Sequence, residues 1–311
     1  MSTKTLENKK RLGLLGALLL IVALGLVAVS GLAAEKPAGS ISAVVYKKVL
    51  GDLEIYALSD ARGRLDFSII LGLTPDKIRE IVGQSPEMDQ NSLASYINAF
   101  LVKSPSGLFL VDTGLGDNDS LVSGLKEAGF SPADVTDVLL THFHGDHING
   151  LLAGGKSLFP EATIWADKNE DRYWRRETGR QAQNVESRLA PYRKAKRFQT
   201  FEPGQTIKPG LTTMALYGHT PGHSGFVFAA GGSQSLLLWG DIVHAYLVQF
   251  ARPQTTVSYD VDPQAAAATR ALILKKAAEA GYLVAGAHLP FPGLGQVKAV
   301  EGDSYAWVKD Q

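Results

Sequence analysis

The feature that most constrains this chain is a short segment in which an apolar run ends in four potential metal ligands. A Val-Leu-Leu run typical of a buried strand is followed by His142, His144, Asp146 and His147. His142 and His144 are two positions apart, so in an extended segment their side chains lie on the same face. Gly145 then allows a sharp change of direction. One metal ion cannot use all four side chains, so the segment predicts part of a larger site.

Further ligand-type residues follow three later apolar strands. They are His219 and His223 after the first of these strands, Asp241 after the second and His288 after the third. In layered α/β folds, active-site groups gather at the ends of strands on one edge of the sheets. Six of the seven histidines lie in these motifs. The pattern therefore predicts that they meet in one site.

The ligand set is complete for two divalent metal ions. We predict that one ion is held by His142, His144 and His223, the other by Asp146, His147 and His288, and that Asp241 bridges both. Two ions roughly 3.5–4 Å apart lower the pKa of a bridging water toward neutrality and clamp the attacking and leaving oxygens. A histidine and aspartate set suits zinc, our first choice, and also accommodates manganese, cobalt, nickel or iron.

Other polar side chains are candidates for the surroundings of the ions. Asp112, at the end of an apolar strand, is suited to orienting a ligand imidazole, with a plain turn cap as the alternative. His219 could bond a substrate oxygen, and we place it with Asp146 and Asp241 among the catalytic groups. His244 is expected to point into the pocket, with a surface or core position equally open.

A segment rich in arginine, residues 168–197, is predicted to be helical and contains Tyr173 and Trp174. A solvated helix with a few inward aromatics is the simplest interpretation. The alternative is a wall or lid over the pocket, in which Tyr173 and Trp174 contact the substrate.

Composition excludes several classes of protein. The 311 residues have a formal net charge of zero and no cysteine. A thiol nucleophile, a disulfide framework and a thiolate-bound metal are therefore excluded. Nothing in the charge pattern indicates a nucleic-acid partner, so the expected partner is a small-molecule substrate. A homodimer stays open.

The N-terminus is typical of a secretory signal. Residues 1–11 are polar and basic, and residues 12–34 carry no charge. Export to the periplasm or the outside by cleavage of residues 1–34 is the first interpretation, and an uncleaved membrane anchor is the second. Residues 35–40 are predicted to be a linker, and residues 41–311 one catalytic domain.

The remaining pattern predicts alternating strands and helices. Strands are expected at 41–46, 53–58, 96–102, 107–111, 163–166, 212–216, 225–228, 235–239 and 282–285. Helices are expected at 75–82, 121–128 and 263–280, the last opened by Asp262 and Pro263 and ended by Gly281.

Taken in order, the motifs Asp112-Thr113-Gly114, Thr141-His142-Phe143-His144-Gly145-Asp146-His147, Gly218–His223, Gly240-Asp241 and His288 resemble the metallo-β-lactamase superfamily. The resemblance implies a four-layer αββα sandwich, in the α/β class. Residues 51–60 and 281–295 are similar to the exported methyl parathion hydrolase family of dinuclear enzymes. That similarity implies hydrolysis of an activated ester, lactone or organophosphate triester by a metal-bridging hydroxide. The stretches 61–92, 115–120 and 178–190 do not match that family, and the resemblance implies that they determine specificity.

Three other functions are weighed. A β-lactam hydrolase is the first, although many of these use a cysteine ligand that this chain lacks. An iron-dependent oxidoreductase of the same fold is the second, disfavoured because a histidine, His144, stands where diiron versions often have a carboxylate. A non-catalytic metal-binding protein is the third, and a complete ligand set argues against it.

Overall fold

The computed structural model describes residues 44–116 and 119–310, whose strands form two seven-stranded sheets. The strands of the first sheet are neighbours in chain order: β1 Val45–Leu50, β2 Leu53–Asp66, β3 Ser92–Ser104, β4 Gly107–Val111, β5 Asp137–Leu139, β6 Thr163–Asp167 and β7 Phe198–Phe201. β1 to β4 are antiparallel, and β4 to β7 are parallel. The carboxyl ends of β4 and β5 therefore lie at one edge, just before Asp112 and His142.

The second sheet repeats the chain-order arrangement. Its strands are β8 Thr206–Lys208, β9 Leu211–Ala215, β10 Ser224–Ala229, β11 Ser235–Leu238, β12 Leu283–Ala285, β13 Leu294–Ala299 and β14 Tyr305–Lys309. Only the β11–β12 pair among them is parallel, which brings the segments of Asp241 and His288 to one edge. Two small ladders pair Ile70–Leu71 with Thr256–Val257 and Leu152–Ala153 with Lys156–Ser157.

Helices cover the outer faces of the sheets. The α-helices are α1 Pro75–Val82, α2 Asp119–Glu127, α3 Gly145–Ile148, α4 Lys168–Trp174, α5 Arg180–Lys194, α6 Tyr246–Gln249 and α7 Pro263–Ala280. Short 3₁₀ turns occur at Phe67–Ile69, Pro132–Asp134, Asn149–Leu151 and Gly240–Ile242. α2 and α5 pack on the first sheet, and α7 packs on the second.

Side-chain alternation along β2 shows why the layers form. Tyr56 and Leu58 pack toward α2 and α5, while Ile55 and Ala57 pack toward the second sheet. Both faces of the strand are buried, as expected for a strand covered by a helix layer and a second sheet. The structure confirms the predicted four-layer αββα sandwich.

Several predicted element bounds are wrong. Residues 61–66, expected to be irregular, continue β2 to Asp66, and β3 begins at Ser92 rather than at residue 96. The two strands pair along their length. The segment 168–197 is two helices, since the chain turns at Gly179 with a φ of 94°, which favours glycine. The first hairpin exists around Gly51, with its first strand at Val45–Leu50.

The predicted signal or anchor, residues 1–34, and the linker lie outside the described residues. Within residues 44–116 and 119–310, no helix has the length and apolar character needed to cross a membrane.

Candidate metal centre

The first ligand turn, residues 141–147, follows β5 at the edge of the first sheet. Asp112, just beyond β4, has a positive φ of 58° and accepts hydrogen bonds from Thr141 N and Oγ1, each at 2.8 Å. The same carboxylate lies 2.8 Å from Nδ1 of His147. An imidazole held through Nδ1 presents Nε2 on the opposite side of the ring, toward the interior of the site. This is the orienting contact expected of Asp112, whereas a metal on His147 stays a prediction.

The second ligand turn, residues 218–223, joins β9 to β10. His223 Nδ1 donates to the Leu216 carbonyl at 3.0 Å, and its Nε2 accepts from Asp241 N at 3.1 Å. Nε2 of His219 lies 2.9 Å from Nδ1 of His144 and 3.2 Å from Asp241 Oδ2. Both histidines of this turn therefore direct Nε2 toward the first ligand turn and Asp241.

Asp241, beyond β11, is the centre of the site. Its Oδ2 lies 3.0 Å from Nε2 of His244 and 3.2 Å from Nε2 of His288. His142 Nε2 lies 3.6 Å from the same oxygen, and His147 Nε2 lies 3.1 Å from Oδ1. Asp241 is 3% exposed, so this carboxylate meets histidines from both sheets away from bulk water.

His288 completes the centre from the end of β12. Its Nδ1 donates to the Tyr96 carbonyl of β3 at 2.7 Å, which directs Nε2 inward. Nε2 then lies 3.6 Å from Asp146 Oδ2. The predicted trio of Asp146, His147 and His288 is thus brought together, with its ligand atoms within 4.8 Å of one another.

The donor set fits divalent metal ions. Nε2 of His142, Nε2 of His147 and Oδ1 of Asp241 are buried without a hydrogen-bond partner among the described residues. Buried polar atoms are normally paired, so such orphaned acceptors require an explanation. Imidazole nitrogens and carboxylate oxygens at this spacing are ligands for zinc and its neighbours.

The residues whose ligand atoms cluster around His142 differ from the predicted set. His142, His144, His219 and Asp241 have ligand atoms within 4.8 Å of one another, and so do Asp241, His244 and His288. His223 lies beside the first group, with its ring 5.2 Å from that of His142. The structure therefore adds His219 and His244 as neighbours of the ligand atoms, and the assignment of ligands to each ion stays a prediction.

Neighbouring imidazoles have their pKa values moved in opposite directions. Burial opposes protonation of His219, but hydrogen bonds with Asp241 and Asp260 outweigh it and raise its pKa to about 9. Burial and the charge of His219 lower the pKa of His144 to about 3. The same two causes, burial first, lower the pKa of His223 to about 3. Burial also opposes protonation of His147 and His288, but the charge of Asp241 outweighs it and raises both of their pKa values. Imidazoles that favour the cation and imidazoles that favour the neutral ring therefore lie side by side around Asp241.

The predicted pocket residues lie close to the centre. His244 is buried, and its ring stacks on that of His288 with centroids 5.0 Å apart. Trp174 is also buried, and its ring meets His144 edge-on at 6.0 Å. Tyr173 is half-buried and packs on Trp174 at 5.2 Å. His244 and Trp174 therefore contact the histidines directly, and substrate contact by any of the three stays a prediction.

Sequence reasoning missed two buried carboxylates. Asp260 accepts from Nδ1 of His219 at 2.9 Å, and Glu170 accepts from groups in both ligand turns. Neither belongs to a histidine motif. The only local signal was position, since Asp260 precedes the Asp262 cap of α7 and Glu170 lies in the first turn of α4.

A sequence model of the metallo-beta-lactamase superfamily matches residues 94–288, from β3 to the last predicted ligand. The chain belongs to this superfamily. In fold, the chain is similar to hydrolase AbOPH of the beta lactamase superfamily, at 31% identity and a TM-score of 0.82, over 88% of this chain and 99% of that one. The chain is also similar to AidC, a dizinc quorum-quenching lactonase, at 26% identity and a TM-score of 0.79. The match covers 87% of this chain and 98% of AidC.

A curated relative matches a shorter part of the chain. A "probable metallo-hydrolase" of Mycobacterium tuberculosis is 27% identical in an alignment of 216 residues that covers 55% of this chain. The chain spans 65% of the length of that relative. The relatives therefore support a metal-dependent hydrolase of this superfamily.

Proposed function

We propose that this protein is a dinuclear metal-dependent hydrolase that opens lactones and cleaves activated esters, with organophosphate triesters as secondary substrates. The observation that carries the proposal is Asp241, whose two oxygens meet imidazoles from both sheets while Oδ1 lacks a hydrogen-bond partner among the described residues. A carboxylate shared in this way is suited to bridging two ions. The similarity to a dizinc lactonase supports the substrate class.

The chain's own residues hold and orient the reacting groups. Bound ions would polarise the substrate carbonyl and supply a hydroxide from water at neutral pH. Asp112 fixes His147, and the Tyr96 carbonyl fixes His288, so both imidazoles present Nε2 inward. Nδ1 of His219 donates to Asp260, so Nε2, which faces the interior, carries a proton when the ring is an imidazolium, the form that a pKa raised to about 9 favours at neutral pH. We assign to His219 the donation of a proton to the leaving oxygen.

The bridging role of Asp241 is tested by Asp241→Ala. We expect metal content to fall to one ion or fewer per chain and kcat/KM for a lactone to fall by at least about 10³-fold, because both ions lose a ligand. Metal analysis and a pH-indicator lactonase assay measure the two effects. Full lactone turnover by the variant would refute the mechanism.

The substrate class is tested with a panel. The metal-loaded protein is assayed on an N-acyl homoserine lactone, an aliphatic δ-lactone, an aryl acetate, a paraoxon-type triester and a chromogenic cephalosporin. We expect kcat/KM to be largest for a lactone or the aryl ester and smaller for the triester. If the cephalosporin is the best substrate, β-lactam hydrolysis replaces this proposal.

We also propose that the protein acts outside the cytoplasm. The basic residues 1–11 and the uncharged residues 12–34 support export. Expression of the full chain and of residues 35–311, followed by cell fractionation, tests it. We expect only the full chain to leave the cytoplasm, and equal cytoplasmic retention of both would contradict export.

A further inference from the structure

We infer that Glu170 is a positioning residue that fixes the distance between the two ligand turns and thereby sustains one of the two metal ions selectively. The inference rests on the proposed dinuclear site. Glu170 lies in α4, outside every histidine motif, and its side chain is fully buried. A carboxylate is costly to bury unless donors surround it, so its partners indicate its role.

Each carboxylate oxygen of Glu170 serves a different ligand turn. Oε1 accepts from the backbone N–H of Phe143, between His142 and His144, at 2.9 Å. Oε2 accepts from Gly222 N at 3.0 Å and from Thr220 Oγ1 at 2.7 Å, both in the second ligand turn. The first turn belongs to one sheet and the second turn to the other. One rigid planar group therefore sets their separation.

Two further contacts join α4 to the ligand turns. Trp174 Nε1 donates to Oε1 at 2.7 Å, and the same indole meets the ring of His144. On the other side, a Cβ at Gly222 would lie 2.1 Å from Glu170 N, so the second turn packs directly on the backbone of α4. Neither turn can approach or retreat without breaking a contact with α4.

The other half of the site does not use Glu170. His147 is held by Asp112, and His288 is held by the Tyr96 carbonyl. Glu170 thus supports the His142 and His144 side alone. Asp112 and β3 hold His147 and His288 directly, and Asp112 reaches His142 only through Thr141. Loss of Glu170 should lower the affinity for one ion and leave the affinity for the other unchanged.

Glu170→Gln changes the charge and one oxygen while keeping the shape. An amide NH₂ cannot accept, so on the Oε1 side it would face two obligate donors, Phe143 N–H and the Trp174 indole. On the Oε2 side the Thr220 hydroxyl can rotate to accept, and only Gly222 N–H loses its partner. We therefore expect the amide nitrogen to face the second ligand turn and to loosen that turn.

The test measures metal affinity by chelator competition on the full-length, zinc-loaded protein. We expect Glu170→Gln to weaken one ion by about 10–100-fold and to leave the other within about twofold. Asp112→Asn should weaken the complementary ion more than the first one, because Asp112 bonds His147 directly and His142 only through Thr141. Glu177→Gln, an exposed glutamate just beyond α4, is the matched control and should bind both ions normally.

The identity of the weakened ion follows from combined variants. In a His288→Ala background Glu170→Gln should still weaken the remaining ion, and in a His142→Ala background it should have no further effect. Unchanged affinity for both ions in Glu170→Gln, or equal weakening of both, would overturn the inference. If Glu170→Gln does not fold, Thr220→Val removes one contact alone and should weaken the same ion.

Metal affinity is independent of the substrate. Selective loss of one ion without any lactonase or esterase activity would support the role of Glu170 and refute the proposed function. Normal hydrolysis, together with unchanged affinity for both ions in Glu170→Gln, would refute the role of Glu170 and support the proposed function.

Discussion

At the scale of single residues, the support of His219 extends to a buried arginine on α7. Arg270 is 1% exposed, and its Nη2 lies 3.8 Å from Asp260 Oδ2. It also donates to the carbonyls of Ile242 and Thr255, each at 2.6 Å. Ile242 directly follows Asp241. A single guanidinium therefore connects the segment that carries the central carboxylate to the one that orients His219.

Replacement of this guanidinium should be costly. We expect Arg270→Met to lower the free energy of unfolding by about 3–5 kcal/mol, because Asp260 and the carbonyls would remain buried with fewer partners. Urea unfolding of the metal-loaded protein measures the loss. Arg252→Met, an exposed arginine nearby, is the control and should change stability by less than about 0.5 kcal/mol. Equal stability of the two variants would contradict the role of Arg270.

Residues that cluster in the sequence were predictable, and residues that meet only in the fold were not. His142, His144 and His147 lie so close together that their chemistry is visible without a structure. Asp260 and Glu170 are ordinary surface-type residues in composition, and only tertiary packing brings them under the ligand turns. The position of His219 beside His144 was missed for the same reason, since it depends on how one turn faces another.

At the scale of elements, α7 begins where the second ligand turn is anchored. Asp262 Oδ1 accepts from Ala265 N at 3.0 Å, and its own N–H donates to the Gly218 carbonyl at 2.9 Å. The cap thus joins the start of an 18-residue helix to the beginning of the second ligand turn.

The contribution of the Asp262 cap to the stability of the protein can be measured by substitution. Asp262→Ala should destabilise the protein by about 1 kcal/mol, because Ala265 N–H loses its acceptor, whereas Asp262→Asn should cost about 0.3 kcal/mol or less. Chemical denaturation at saturating zinc separates the two variants. A loss as large in the asparagine variant would show that the charge, and not the cap, is responsible.

Element type was predicted better than element extent. The motif-bearing strands and the α7 helix were expected from periodicity and caps. The extension of β2 over residues 59–66 was missed because these residues carry charge and a glycine, and the strand is maintained there by its ladder with β3 rather than by its composition. Tertiary pairing overrode local preference there.

At the scale of the whole molecule, the candidate metal centre lies between the two sheets. Sheet one supplies the first ligand turn, and sheet two supplies the second ligand turn, Asp241 and His288. Contacts from β3 support this arrangement, since Asn98 Nδ2 donates to the carbonyls of Ala287 and Leu289 on either side of His288. A metal ion bound in this centre would therefore be held by residues from both sheets.

Metal removal should lower stability measurably. An ion present at 100 times its Kd contributes about 2.7 kcal/mol, which corresponds to a fall in Tm of about 5–10 °C when it is stripped. Differential scanning fluorimetry with and without a chelator measures the shift, and added zinc should reverse it. Asp241→Ala serves as the control and should respond much less to chelator. An unchanged wild-type Tm would refute structural coupling to metal.

The position of the centre between sheets has a consequence for a chain with no cysteine. An ion shared by His147 and Asp241 would close a long loop of chain, as a disulfide does, and would restrict the unfolded ensemble in the same way. Such a cross-link would be insensitive to thiols and oxidants but would respond to the local supply of metal. Zinc scarcity would then act on this protein as reducing conditions act on a disulfide-bonded one, by removing its cross-links.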